Sequence, residues 1–269
     1  MNRLSIGAQQ ILNDFNSRQN YENEFHRRAA ARLVELAALQ SGQRVLDIAT
    51  GTGLAAIGVA QIVGSTGNVL GTDFAVGMLQ QAQQKANALG LKNIRFEEVD
   101  AGQQHLPANQ FDAILCSSAI VYLTDIPSSL RRWHNTLKPN GIVAFSCLFE
   151  TSPSSSVVFR AIVQKYGITI ANPNKLLGTP ERCHQLLEKI GFQEIAIATE
   201  QFGFYSKNAE AMWAGNANSA FGLQDVSWSK EKLKRCKQEY LEEIDKASDK
   251  ESYWNDIIMF FITAQRVNA

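Results

Sequence analysis

Val45-Leu-Asp-Ile-Ala-Thr-Gly-Thr-Gly53 decides the fold of this chain. Apolar residues around one acid predict a short buried strand, and the Gly-Thr-Gly behind it predicts a tight turn into a helix. The helix is expected to begin near Leu54, where Ala55, Ala56, Gly58 and Ala60 are small enough to let it lie close to the strand. Such a turn brings main-chain amides and a helix start up to a ligand with no Cβ in the way. A nucleotide-like cofactor is the first expectation. The positions of the acids decide which one.

Two ligands compete. Gly51-Thr-Gly53-Leu-Ala-Ala56 fits the dinucleotide fingerprint G-x-G-x-x-A, and Asp73 stands about 20 residues further on, where a ribose-binding acid belongs. That pattern suits an NAD-dependent oxidoreductase. Asp47, however, precedes the glycines at the strand end, where a carboxylate would repel a pyrophosphate. The same carboxylate suits a ligand that carries an ammonium and a sulfonium. A third acid ends another apolar run in Ile94-Arg-Phe-Glu-Glu-Val-Asp100-Ala101. Three strands each ending in Asp favour an adenosyl–amino acid site over a pyrophosphate site.

With these residues in view, the chain resembles the class I S-adenosylmethionine-dependent methyltransferases, and within them the ubiquinone/menaquinone-biosynthesis-like branch that acts on small molecules. The resemblance runs from about Gly42 to Ser146. It rests on VLDIATGTG (45–53), GTDFAVGML (71–79), FEEVDAGQQHLP (96–107), FDAILCSSAIVYLTD (111–125) and LKPNGIVAFS (137–146), five blocks in order. Ala49 departs from the family, standing where its first glycine usually stands, and is small enough to serve there.

What the resemblance implies is a Rossmann-like, doubly wound, seven-stranded and mostly parallel sheet with its last strand antiparallel, plus helical lid insertions. The cofactor would be S-adenosyl-L-methionine, leaving as S-adenosyl-L-homocysteine. Asp47 would hold its amino group, directly or through water. Ala49, Gly51 and Gly53 would let the backbone approach the methionine moiety. Asp73 would take the two ribose hydroxyls, Phe74 and Met78 the faces of the adenine, and Asp100 and Ala101 its edge. At Ser117 the main chain would pass the methyl-bearing sulfur. Tyr21, Tyr122 and Phe149 are the expected acceptor contacts. No catalytic base stands out: His134 lies on a helix expected to face outward, and none of His105, His134 and His184 has an obvious carboxylate partner by spacing. A third reading keeps the fold and the cofactor in a non-catalytic binding protein.

Composition narrows the partner. The 269 residues suit a single methyltransferase domain. Its core is expected at about 27–147 and 180–269, with a lid from 1–25, 148–178 and 206–253. Twenty-six basic against 26 acidic residues give no net charge, so the footprint of a nucleic-acid binder is missing and a small-molecule acceptor is expected. The four cysteines are scattered without zinc spacing, so no metal is expected and reduced thiols in a cytoplasmic protein are. The N-terminus has no apolar h-region, and the longest apolar run, Ile257–Ala264, is too short to cross a bilayer.

Along the chain a helix is expected at about 20–39, strands at 44–48, 68–72, 94–98, 111–116 and 141–147, and helices between them at 54–63, 76–89 and 127–137. This alternation implies a parallel sheet with right-handed crossovers. Asn140-Gly141 predicts a turn between the Leu137 helix end and the fifth strand. Later come a polar loop at 151–156, a helix at 157–166, a helix opened by Thr179-Pro180, a strand at 192–198, a polar helical stretch over 206–253 and a closing strand at 256–265.

Overall fold

The computed structural model describes residues 12, 13, 15, 16, 22–101, 106–223, 226–249 and 252–267. Tyr21 and His105 lie outside the described residues. The first helix, α1 (Glu24–Leu36), starts where Asn23 accepts a hydrogen bond from the His26 amide at 3.0 Å. Then follow β1 (Arg44–Ile48), α2 (Leu54–Val63), β2 (Asn68–Asp73), α3 (Val76–Ala88), β3 (Ile94–Glu98), β4 (Phe111–Cys116) and α4 (Ile126–Thr136). The fifth strand, β5 (Leu137–Leu148), leads to α5 (Ser154–Lys165), α6 (Pro180–Ile190) and β6 (Phe192–Gln201). The chain closes with β7 (Phe204–Ser206), α7 (Ala209–Ala217), α8 (Lys230–Lys246), β8 (Tyr253–Asn255) and β9 (Ile258–Arg266).

Seven strands form one sheet in the order β3-β2-β1-β4-β5-β9-β6. The first five are parallel, and β9 runs antiparallel between β5 and β6. Val45, Leu46 and Ile48 on β1, and Ala113 through Cys116 on β4, are enclosed on both faces, as central parallel strands must be. The chain winds outward through β2 and β3 on one side of β1 and through β4 and β5 on the other. Asp47 pairs in register with Gly71 and with Leu115, which puts it at the point where the strand order reverses. Ligand crevices of open α/β sheets form beyond the strand ends at that point.

By its contacts the chain divides into two compact units, one of residues 11–147, 180–198 and 260–269, the other of 148–179 and 199–259. The first has the central strands and their helices. In the second, α5, α7 and α8 pack Phe159, Ile162, Val163, Trp213, Tyr240 and Ile244 into a core of their own. The start of α5 is fastened by side chains. Ser154 Oγ accepts the Asp256 amide at 2.9 Å, and Asn255 Oδ1 accepts the Ser155 amide at 3.1 Å.

Three boundaries differ from the sequence expectation, each for a local reason. The turn at Asn140-Gly141 lies inside β5: Phe111 pairs with Leu137 and Ala113 already with Ile142, so the intervening residues bulge, with Asn140 at φ 62°. Lys138 reaches Asp112 at 2.8 Å across this bulge and ties it to β4. Helix α5 begins at Ser154 rather than 157, since serines favour a helix's first turn as well as loops. Strands β7 and β8 pair antiparallel within three residues each, too short to show a period of two.

Gly71 lies between β1 and β3, and a Cβ on it would stand 2.6 Å from Phe96 and 3.1 Å from the Thr50 methyl. Gly71→Ala is therefore expected to destabilise the fold by about 1–3 kcal/mol through overpacking. A denaturant midpoint equal to wild type would show that Phe96 moves away freely.

Candidate functional site

Asp47, one residue before the end of β1, has 1% of its surface exposed. Its Oδ2 accepts the Thr50 hydroxyl at 2.6 Å, while its Oδ1 is buried with no hydrogen-bond partner among the described residues. Burial pushes this carboxyl up to about 7, against the Thr50 hydroxyl and the Ala56 amide at the start of α2, which draw it down, while repulsion from Asp73 adds to the rise. Such a group calls for a cation or a donor at Oδ1.

The turn after it is built from left-handed residues. Ala49, Gly51 and Gly53 have φ of 52°, 55° and 81°. Gly53 needs its missing Cβ, which would fall 3.0 Å from Ala82 on α3, whereas the space in front of Gly51 is open to 4 Å. Ala49 tolerates a conformation that costs an L-residue about 1–2 kcal/mol, so its neighbours must hold it. The Thr50 amide donates to Thr72 at 2.9 Å, the Gly51 amide to Asp73 Oδ2 at 2.8 Å and the Gly53 amide to Thr50 at 2.9 Å.

Asp73 has two tasks. Its Oδ1 accepts the Ala75 amide at 2.9 Å, at the start of α3, while Oδ2 holds the glycine turn. Burial raises its carboxyl above the ordinary value, and the Ala75, Gly51 and Phe74 amides draw it back. Were Asp73 a ribose acceptor alone, its removal would change the stability of the unliganded fold little. These two bonds mean instead that its loss also frees the turn.

The remaining expected residues fall at neighbouring strand ends. Phe74 follows β2, half-buried, and Met78 on α3 is enclosed at 1% exposure. Asp100 and Ala101 follow β3 and are partly exposed, and the Val99 amide ties this end to Asp73 through a 2.9 Å bond. Ser117 lies just past β4, partly exposed, where Ser118 turns left-handed (φ 56°) and donates its amide to Ser146 Oγ at 2.9 Å. Tyr122 closes a short 3-10 turn (Ile120–Tyr122), 40% exposed. Phe149 belongs to the second compact unit, where its amide donates to Ile258 at 2.9 Å.

Cys116, at the end of β4, is held protonated: burial and the nearby Asp47 push its thiol far above the ordinary value. His134 does not face outward as expected. It packs edge-on against Phe192 at 4.9 Å, and burial lowers its basicity. His184, expected to have no carboxylate partner, has Glu188 one helical turn on at 3.8 Å from its Nδ1, with both side chains exposed. Among the described residues no cluster of metal ligands occurs, and no helix is long and apolar enough to cross a membrane.

Sequence reasoning missed three residues. Phe15 sits 5.7 Å from Tyr122 in an edge-to-face pair and 6.5 Å from Phe74, joining two strand ends in one aromatic group. Asn16 caps the α3 start by accepting the Gly77 amide at 2.8 Å. Glu22 accepts the Thr52 hydroxyl of the glycine turn at 2.6 Å. None carries a motif. The only signal was an irregular polar–aromatic stretch before α1.

Residues 39–190 match the methyltransferase domain family, and the chain belongs to it. It is similar to the aklanonic acid methyltransferase DauC of Streptomyces sp. (strain C5), 38% identical over 51% of this chain and 59% of that protein. It is also similar to the demethylmenaquinone methyltransferase of Geobacillus kaustophilus (strain HTA426), 35% identical over 48% of this chain and 53% of that one. The matches thus span little more than half of these curated relatives. The fold is shared with the Haemonchus contortus phosphoethanolamine N-methyltransferase 2, solved with phosphomonomethylethanolamine and S-adenosylhomocysteine. That likeness has a TM-score of 0.58 at 16% identity, over 98% of this chain and 58% of that one.

Asp47 makes a pH dependence. Its folded value near 7 exceeds the ordinary 3.8, so the neutral form stabilises the unliganded fold fully below pH 3.8. That contribution, about 4 kcal/mol, is lost as pH rises towards about 7. Asp47→Asn should flatten the curve of unfolding free energy between pH 4 and about 7. Parallel curves for both proteins would mean Asp47 ionises in the fold as freely as in the unfolded chain.

Proposed function

We propose that the protein transfers a methyl group from S-adenosyl-L-methionine to a small-molecule acceptor of quinone or related ring type. The observation that carries this reading is the buried Asp47 carboxyl with an unpartnered Oδ1 under a turn that is open in front of Gly51. An ammonium fits that oxygen, whereas a pyrophosphate would meet two buried carboxyls, Asp47 and Asp73, so the dinucleotide alternative is disfavoured. The relatives' substrates, a demethylmenaquinone and aklanonic acid, support a small ring-bearing acceptor.

S-adenosyl-L-methionine supplies an already activated methyl group on a sulfonium, so the chain contributes by positioning and by excluding water. In this reading Asp47 binds the ammonium, the Ala49–Gly53 backbone lies along the methionine part, and Asp73 accepts the ribose hydroxyls. Asp100 and Ala101 take the adenine edge, with Phe74 and Met78 against its faces. Tyr122 and Phe149 serve the acceptor. We assign the acceptor-binding lid to 148–178 and 206–253, because every cofactor motif ends by Ser146. The balanced charge of the chain supports a small molecule over a nucleic acid.

Calorimetry tests the reading. S-adenosylhomocysteine should bind in the micromolar range, about −8 kcal/mol, and NAD should give no heat. Asp73→Ala should lose roughly 2–4 kcal/mol of that binding and also lower the melting temperature, since two amides lose their acceptor. Heat with NAD alone would reject the methyltransferase reading.

A further inference from the structure

Glu22 stands outside every motif of the family, two residues before α1. Its Oε1 accepts the hydroxyl of Thr52, which lies between Gly51 and Gly53 and is 3% exposed. The same oxygen accepts Lys85 Nζ from α3. Burial alone would raise the Glu22 carboxyl, but the bonds from Lys85 and Thr52 and the charge of Lys85 outweigh it and hold the group below its ordinary value. One oxygen therefore joins the N-terminal segment, the glycine turn and the helix behind it.

The turn needs such a tie. Three of its five residues from Ala49 to Gly53 are left-handed, and strained backbone persists only where its surroundings over-determine it. The bonds from Thr50, Gly51 and Gly53 all run to β1, to β2 or within the turn itself. The Thr52 side chain adds a tie to a residue outside β1 and β2.

We propose that Glu22 is a positioning residue for the cofactor site: by holding Thr52 it fixes the glycine turn in the conformation that receives the methionine part. This rests on the reading that the turn binds S-adenosylmethionine. Glu22 does not touch the cofactor; it removes a conformational cost that binding would otherwise meet. The pairing with Lys85 adds little by itself, because solvent screens a partly exposed ion pair. The Thr52 hydroxyl is the working contact. A glutamine, which keeps an acceptor oxygen, should therefore replace the glutamate, and an alanine should not.

The test uses the full chain, with S-adenosylhomocysteine calorimetry at a temperature where circular dichroism shows every variant folded. Glu22→Ala should raise Kd about five- to twentyfold, equivalent to about 1–1.8 kcal/mol. Glu22→Gln should stay within about threefold of wild type, equivalent to under 0.7 kcal/mol. Adding Thr52→Val to Glu22→Ala should cost no more than about a further twofold, since both remove one bond. Amide exchange without ligand is the second arm. In Glu22→Ala the Gly51 and Gly53 amides should exchange about tenfold faster while those of β1 and β4 hold their rates. An unchanged Kd for Glu22→Ala, additive losses, or exchange that quickens equally throughout would each overturn the proposal. If wild type itself fails to bind S-adenosylhomocysteine, the function reading falls and the exchange arm alone decides whether Glu22 braces the turn.

Discussion

Everything at the strand ends follows from one unfavourable placement, the burial of the Asp47 carboxyl with one oxygen unmet. A folded domain rarely keeps such a group without a use for it. The left-handed turn above it keeps side chains out of the space before Gly51, and Asp73 beside it is buried as well. Two half-compensated carboxyls under a bare backbone make a site that attracts positive charge and hydroxyl donors.

The same groups hold the fold. Asp73 fastens the glycine turn with one oxygen and the start of α3 with the other, and Thr50 ties the turn to β2. Phe15 joins Phe74 to Tyr122, and Glu22 joins Thr52 to Lys85. Binding residues and bracing residues are thus interleaved. Substitution at the site is expected to register in stability as well as affinity, in contrast to a site displayed on free loops.

Much of this was legible in the sequence, because short parallel strands write themselves as apolar runs and glycine turns as glycines. The strands β1 to β4 and the acids at or near three strand ends are readable on that basis, whereas the antiparallel direction of the last strand follows only from the family resemblance. The bulge at Asn140 looked like a turn since local residues cannot report which strand lies alongside. The outward placement expected for His134 failed because helix periodicity does not reveal that Phe192 returns against it. Glu22, Asn16 and Phe15 escaped notice for a further reason. Each acts through a partner at least 30 positions away, and no spacing rule links them.

The account's central claim is that Asp47 waits, largely protonated below pH 7, for a cationic group. Calorimetry of S-adenosylhomocysteine binding at pH 6, repeated in buffers of different ionisation enthalpy, counts the protons exchanged. The account predicts release of about one proton at pH 6, falling towards zero by pH 8, as the bound ammonium forces Asp47 to ionise; Asp47→Asn should abolish it. Binding of undiminished strength with no proton released at pH 6 would contradict the claim, because Asp47 would then be no partner of the charge.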